Sequence, residues 1–168
     1  MTEPLLVGAL LIVLTVLIQG FGSVGLMRLL FRHHMDAAGQ VLQKRALGAI
    51  IITAIGLLLL HCLQILAWAV AYRLLAPVQP IEDLESAVYF SAVTFTTLGY
   101  GDITLSSEQW RLLTGFEALN GVLLLGWSTA LLYAVVHRTW SGYAARHLPG
   151  PGPAHADTRP PADRQTDL

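Results

Sequence analysis

The heptapeptide TTLGYGD at residues 96–102 is the part of the chain whose residue types most clearly indicate a chemistry. It lies between two long apolar segments and offers oxygen atoms from hydroxyls, main-chain carbonyls and one carboxylate. Its alternating glycines allow backbone conformations that residues with a Cβ resist, so successive carbonyls can point to one axis. A dehydrated cation needs its lost water oxygens replaced, and stacked carbonyls supply them. The chemistry that these residue types allow is coordination of a cation by main-chain oxygens.

Composition favours a membrane protein over a soluble domain. The chain of 168 residues is 54% hydrophobic and 12% charged, with a mean hydropathy of +0.58. The net charge of -1 gives no sign of nucleic-acid binding. Cys62 is the only cysteine, which rules out an intrachain disulfide. No nucleophile-base pair, metal-ligand spacing or phosphate loop is present in the sequence, so we do not expect an enzyme.

Three apolar runs are long enough to cross a membrane. They are Leu5 to Met27, Ala46 to Tyr72, and Leu112 to Val136, the last interrupted by Glu117. At 1.5 Å per helical residue the first run reaches about 35 Å, against a hydrocarbon core of about 30 Å. The residues interpreted as aromatic belts of the two membrane interfaces are Trp68 and Tyr72 near the end of the second run, Trp110 before the third run, and Trp140 and Tyr143 after it.

The charges flanking these runs predict an orientation. The segment from Arg28 to Arg45 holds four basic residues against one acid, Asp36, and is expected in the cytoplasm. The segment after the second run is acidic and is expected outside; its acids are Glu82, Asp83 and Glu85. The N-terminus is therefore predicted outside and the C-terminus inside. No Lys or Arg precedes Leu5, which disfavours a signal peptide.

The segment from Leu84 to Thr96 is predicted to be a short helix that enters the membrane without crossing it. As a helix it spans only about 20 Å, and Asp83 or a neighbour is available as its N-cap. A short helix followed by a glycine-rich extended segment forms a re-entrant loop, whose non-helical backbone must be buried in protein or line a water-filled cavity.

This arrangement resembles the pore domain of tetrameric potassium channels of the small bacterial type, over Ala46 to Arg138. The resemblance implies an all-α membrane protein with three transmembrane helices and a re-entrant pore helix and selectivity filter between the second and third. Because one filter segment cannot enclose an ion, it also implies a fourfold homotetramer. The implied activity is passive K+ conduction in a bacterial plasma membrane. K+ is the implied bound ion, with no other cofactor, and membrane lipid is the remaining partner.

The resemblance also assigns roles to individual residues. K+ would bind at the filter residues Thr97, Leu98, Gly99 and Tyr100, and Gly101 would complete the filter. The Thr97 hydroxyl would form the innermost ring of oxygens, Tyr100 would pack behind the filter, and Asp102 would sit at the outer mouth. The residues assigned to filter support or to the cavity are Thr96, Val93, Glu117, Val122, Leu125 and Thr129. Leu98 stands where many members have Val, and Val93 where some bacterial members have Glu.

The third run contains two residues with alternative interpretations. Glu117 is interpreted either as a support for the filter or as a cavity-lining residue, since a charge in a span usually marks function or a bonded partner. Gly121 is interpreted as a hinge of the inner helix or as a site of close helix packing. The capping-box pattern at residues 106–109 predicts that this helix begins near Ser107.

The chain is divided into an N-terminal transmembrane helix (1–32), a basic cytoplasmic loop (33–45), a pore domain (46–140) and a disordered cytoplasmic tail (141–168). No run has the Arg or Lys periodicity of a voltage sensor. His33, His34 and His137 are candidates for proton sensing at the inner mouth, with simple solvation as the alternative. The alternative functions are a weakly selective cation channel and a non-conducting membrane subunit or scaffold that retains the pore fold.

Overall fold

The computed structural model describes residues 2–34, 46–75, 81, 83–108 and 110–147. These residues form four helices and no strand. The helices are α1 (Thr2–His34), α2 (Ala46–Leu75), α3 (Leu84–Phe95) and α4 (Arg111–His147). The spans Thr2–Arg32, Ala46–Leu74 and Arg111–Ser141 are long and apolar enough to cross a membrane. The all-helical fold with three candidate spans is confirmed.

The boundaries of α4 differ from the sequence prediction at both ends. α4 begins at Arg111 rather than near Ser107, and before it the Trp110 N–H donates to the Ser107 carbonyl at 3.2 Å in a separate turn. At its other end α4 includes residues 141–147, which the sequence analysis assigned to the tail. The rest of that tail, residues 148–168, lies outside the described residues, as does most of the basic loop, residues 35–45.

α1 runs parallel to α4 and antiparallel to α2. A Cβ on Gly8, near the start of α1, would meet the Phe116 ring near the start of α4. Leu30, near the end of α1, shares an apolar cluster with Val135 of α4 and with Ala49 at the start of α2. These contacts place the beginning of α1, the end of α2 and the beginning of α4 on one side of the membrane.

α3 packs between α2 and α4 and ends deep within the structure. Asp83 caps its start, as predicted: the carboxylate accepts from the Ser86 N–H at 2.6 Å, and this bond lowers the pKa of Asp83. Phe95, in the last turn, is fully buried, with its ring 5.9 Å from the His61 ring on α2. A Cβ on Gly121 would overlap the Phe95 carbonyl oxygen, so the α4 backbone lies directly against the end of α3.

Gly121→Ala is expected to displace the end of α3, because the added methyl meets main-chain atoms that cannot rotate away. Overpacking of this kind costs about 1 to 3 kcal/mol. Gly126→Ala on the same helix is the matched control, since no atom lies within 4 Å of its added Cβ. Thermal unfolding of the purified protein in detergent measures the difference. Equal melting temperatures for the two variants would contradict the close contact.

Candidate functional site

The main chain after α3 turns its N–H groups back toward the helix. The N–H groups of Thr97, Leu98 and Gly99 donate to carbonyls in the last turn of α3 over 2.9 to 3.3 Å. Across a trans peptide bond, a carbonyl points opposite to the N–H of the next residue. The three carbonyls of residues 96–98 therefore point away from α3. They form a row of main-chain oxygens at the negative end of the helix dipole.

Every second residue of this segment has a left-handed backbone. The φ angles are 59° at Thr97, 56° at Gly99 and 78° at Gly101. Glycine adopts such angles without steric cost, whereas a β-branched residue does not. Thr97 is kept there by the N–H bond that it makes to the last turn of α3. Gly99 and Gly101, identified in the sequence, therefore lie at positions whose left-handed backbone favours glycine.

Residues 96–100 are exposed in the single chain. Leu98 is 55% exposed and Tyr100 is 67% exposed, so the side chain of Tyr100, expected to pack behind the filter, is mostly uncovered by its own chain. Behind the segment lies an open cavity of about 620 Å³ between α3 and the start of α4. Its lining includes Val93, Thr97, Gly99, Gly101 and Asp102.

The predicted cavity residues of α4 lie on its less buried side. Val122 is 58% exposed and Thr129 is also exposed, while Leu125 is half-buried. Thr96 caps the end of α3, and its hydroxyl donates to the Ala92 carbonyl at 2.7 Å. Among the described residues, no group of three or more His, Cys, Asp or Glu side chains is placed to hold a metal ion.

Glu117 is fully buried and connects three helices. The Tyr72 hydroxyl on α2 donates to Oε2 of Glu117 at 2.7 Å. Ser91 Oγ on α3 lies 2.5 Å from Oε1 of Glu117 and 2.9 Å from the Ile65 carbonyl oxygen on α2. The carboxyl thus faces α3. The contact with Ser91 fits the predicted support for the filter; Tyr72 was not identified from the sequence as a partner.

The Ser91 hydroxyl cannot donate to both of its neighbouring oxygens at once. Ser91 has one hydroxyl hydrogen and two acceptor oxygens within reach. If Glu117 is protonated, its O–H donates to Ser91, Ser91 donates to the Ile65 carbonyl, and Tyr72 donates to the other carboxyl oxygen. Every polar atom is then bonded, and no net charge is buried.

Trp68 and Tyr72 are not interface aromatics, and that interpretation is wrong. Trp68 is 0% exposed and Tyr72 is 1% exposed. Both point into the bundle: their rings contact each other, and Tyr72 also packs edge-on against Phe90 of α3. The sequence locates them near the end of a span, but only the direction of the helix face shows that they point inward.

Tyr89 is a site residue that the sequence analysis missed. Its hydroxyl donates to the Asp102 carboxylate at 2.7 Å, which ties the segment after the glycines to α3. The bond lowers the pKa of Asp102 and raises that of Tyr89. Because the pKa of Asp102 is lowered, the contact stabilises the fold above the ordinary carboxyl range and is lost as the pH falls through the lowered value.

Residues 58–138 match a protein family described as ion channel. Residues 58–138, called the ion channel domain below after this match, are just under half of the chain. A 58-residue segment is also 38% identical to the voltage-gated potassium channel Kch of Escherichia coli, covering 34% of this chain and 14% of that relative. The chain therefore spans only a small part of the relative's length. No solved structure matches the chain.

The ion channel domain comprises most of α2 together with α3, the TTLGYGD segment and α4 through Arg138. It includes Glu117, Tyr72, Ser91 and the Tyr89–Asp102 contact, while α1 lies outside it. Of the candidate proton sensors, His137 is exposed on α4 and 5.7 Å from the Tyr133 ring. The side chains of His33 and His34 lie outside the described residues.

Glu117→Gln is expected to preserve the buried network, because the amide N–H donates to Ser91 and the amide oxygen accepts from Tyr72. Glu117→Leu leaves both hydroxyls without this partner and is expected to lower stability by about 1 to 3 kcal/mol. Thermal unfolding of both variants beside the unaltered protein tests the hydrogen count. A Gln variant as unstable as the Leu variant would show that the carboxyl is ionised.

Tyr89→Phe is expected to release Asp102 from α3 and to make ion flux through the domain decline faster during sustained activity. The ring is kept, so only the hydroxyl bond is lost. Tyr133→Phe, at a residue 67% exposed on α4, is the control. Flux from vesicles is followed over minutes at neutral pH. Identical time courses for Tyr89→Phe and the unaltered protein would exclude a role for the bond in maintaining ion flux.

Proposed function

We propose that the protein is a potassium-selective channel that conducts K+ passively through the TTLGYGD segment. The observation that carries the proposal is the row of carbonyls of residues 96–98, which point away from α3 on the exposed face of the chain. Such oxygens replace the hydration shell of a cation. The main-chain oxygens of Thr97, Leu98, Gly99 and Tyr100 are the proposed K+ ligands, with the Thr97 hydroxyl at the inner end.

A homotetramer with fourfold symmetry completes the proposed pore. One chain supplies a single row of oxygens, which cannot surround an ion. The exposure of Leu98 and Tyr100 supports assembly, because neighbouring copies would cover both side chains. The four negative ends of α3 would converge on the axis and stabilise a cation below the filter. Asp102, whose pKa is lowered, would keep a negative charge at the outer mouth.

The charge pattern supports an N-terminus outside and a C-terminus in the cytoplasm, with the pore loop entering from outside. A bacterial plasma membrane is the proposed location. In this orientation Val122, Leu125 and Thr129 would line the cavity below the filter. Gly121 would allow α4 to bend beside its contact with Phe95.

Flux of K+ and Na+ through the purified protein in liposomes tests the function. We expect K+ flux well above Na+ flux in the unaltered protein. Gly99→Ala is expected to abolish this preference, since a left-handed backbone at a residue with a Cβ costs about 1 to 2 kcal/mol in each of four subunits. Gly126→Ala, outside the filter, controls for any glycine replacement.

Each alternative function has its own outcome in this experiment. Equal K+ and Na+ flux would identify a weakly selective cation channel. An absence of flux across a range of pH, voltage and lipid composition would identify a non-conducting subunit or scaffold. The intact pair of left-handed glycines favours the conducting function, because scaffolding makes no use of their backbone angles.

A further inference from the structure

α1 carries a buried polar stripe, although it lies outside the ion channel domain. Thr15, Gln19 and Ser23 follow one another at four-residue spacing and so share one helix face. Their exposed fractions are 0%, 0% and 7%. Polar side chains within a membrane span cost free energy unless they are bonded. An anchor that only holds the chain in lipid needs no such stripe.

Two of these residues bond to the inner helix, α4. The Asn120 amide donates to the Thr15 hydroxyl oxygen at 2.7 Å, while the Thr15 hydroxyl donates to the Leu11 carbonyl of its own helix at 2.8 Å. The Gln19 amide donates to the Ser128 hydroxyl oxygen at 2.9 Å. Asn120 and Ser128 stand on opposite sides of Gly121 along α4. α1 thus holds α4 both before and after this glycine.

Gln19 also ties the inner helix to the outer helix, α2. Its side-chain oxygen accepts from the Gln64 amide at 2.8 Å while its own amide reaches Ser128. Gln64 in turn contacts Nδ1 of His61 at 3.0 Å through its amide oxygen. The result is a continuous row of hydrogen bonds from α2 through α1 to α4. Gln64 is 0% exposed and Ser128 is 7% exposed, so water does not compete for these bonds.

We propose that α1 is a brace for the inner helix, in which Thr15 and Gln19 are positioning residues that set the gating equilibrium. The proposal rests on the channel function proposed above. If α4 bends at Gly121, its two halves move relative to each other. The bonds of Thr15 and Gln19 join both halves to α1, so movement of one half relative to the other strains or breaks one of these bonds.

Single-channel recordings of the full-length protein in planar bilayers test the brace with Gln19→Leu, Ser128→Ala and the double variant. Each single variant is expected to change the ratio of open to closed time at least about fivefold, and in the same direction. The double variant is expected to change it no further than the larger single effect, because each change removes the bond between Gln19 and Ser128. Gln19→Leu also removes the bond from Gln64 and is expected to have the larger effect. Unitary conductance and K+ preference over Na+ are expected to stay unchanged.

Two controls separate the brace from a general loss of packing. Thr53→Ala removes a buried hydroxyl that bonds only within α2, to the Ala49 carbonyl at 2.7 Å, and is expected to gate normally. Ser128→Thr keeps the acceptor oxygen and is expected to keep the unaltered ratio. An unchanged ratio in both Gln19→Leu and Ser128→Ala, or additive effects in the double variant, would overturn the proposal.

Amide hydrogen exchange of residues 122–136 tests the brace without any current. Gln19→Leu is expected to speed exchange in this part of α4 relative to Thr53→Ala, because the segment loses its hydrogen bond to α1. Equal exchange in the two variants would overturn the brace. If the unaltered protein shows no flux, the proposed channel function is rejected. The hydrogen-exchange result then decides alone whether α1 braces α4.

Discussion

The buried carboxyl of Glu117 holds the short helix α3 between the two long helices on which it packs. α3 has 12 residues, and a helix of that length is marginal alone. Apolar packing offers little net gain among membrane helices, because lipid tails are as apolar as leucine. Hydrogen bonds and close backbone contact must therefore fix its position. The hydrogen bonds are those between Glu117 and the hydroxyls of Ser91 and Tyr72, and the close backbone contact is that of Gly121 with Phe95.

The conformation of the TTLGYGD segment depends on this placement. Its N–H groups bond to the last turn of α3, so a shift of α3 moves every carbonyl that the segment presents. The Tyr89 hydroxyl then fixes the far end of the segment through Asp102. The segment is thus held at both ends by one short helix. The left-handed residues between these points gain their stability from the surrounding bonds rather than from local preference.

Local sequence patterns predicted the spans, the Asp83 cap and the glycine-rich segment, because each depends on neighbouring residues alone. Contacts between distant helices depend on which way each helix face points, which the uniformly apolar runs do not show. For this reason Trp68 and Tyr72 were misplaced, and the bond from Tyr72 to Glu117 was missed. The sequence placed Ser91 in the predicted short helix but did not identify it as the partner of Glu117. The start of α4 was placed too early because its capping pattern belongs to a separate turn.

α1 contacts its two neighbours in different ways, and the difference matters for movement. Against α2 it uses close packing at glycines: Gly22 faces Leu60, and Gly56 faces Leu26. Such contacts leave little room for sliding. Against the half of α4 beyond Gly121 it uses a hydrogen bond through the long Gln19 side chain and an apolar cluster that includes Leu30 and Val135. A long side chain can release and regain its partner without displacing the backbone. α1 is therefore packed closely against α2 and against the start of α4, where Gly8 meets Phe116, and is reversibly bonded to α4 beyond Gly121.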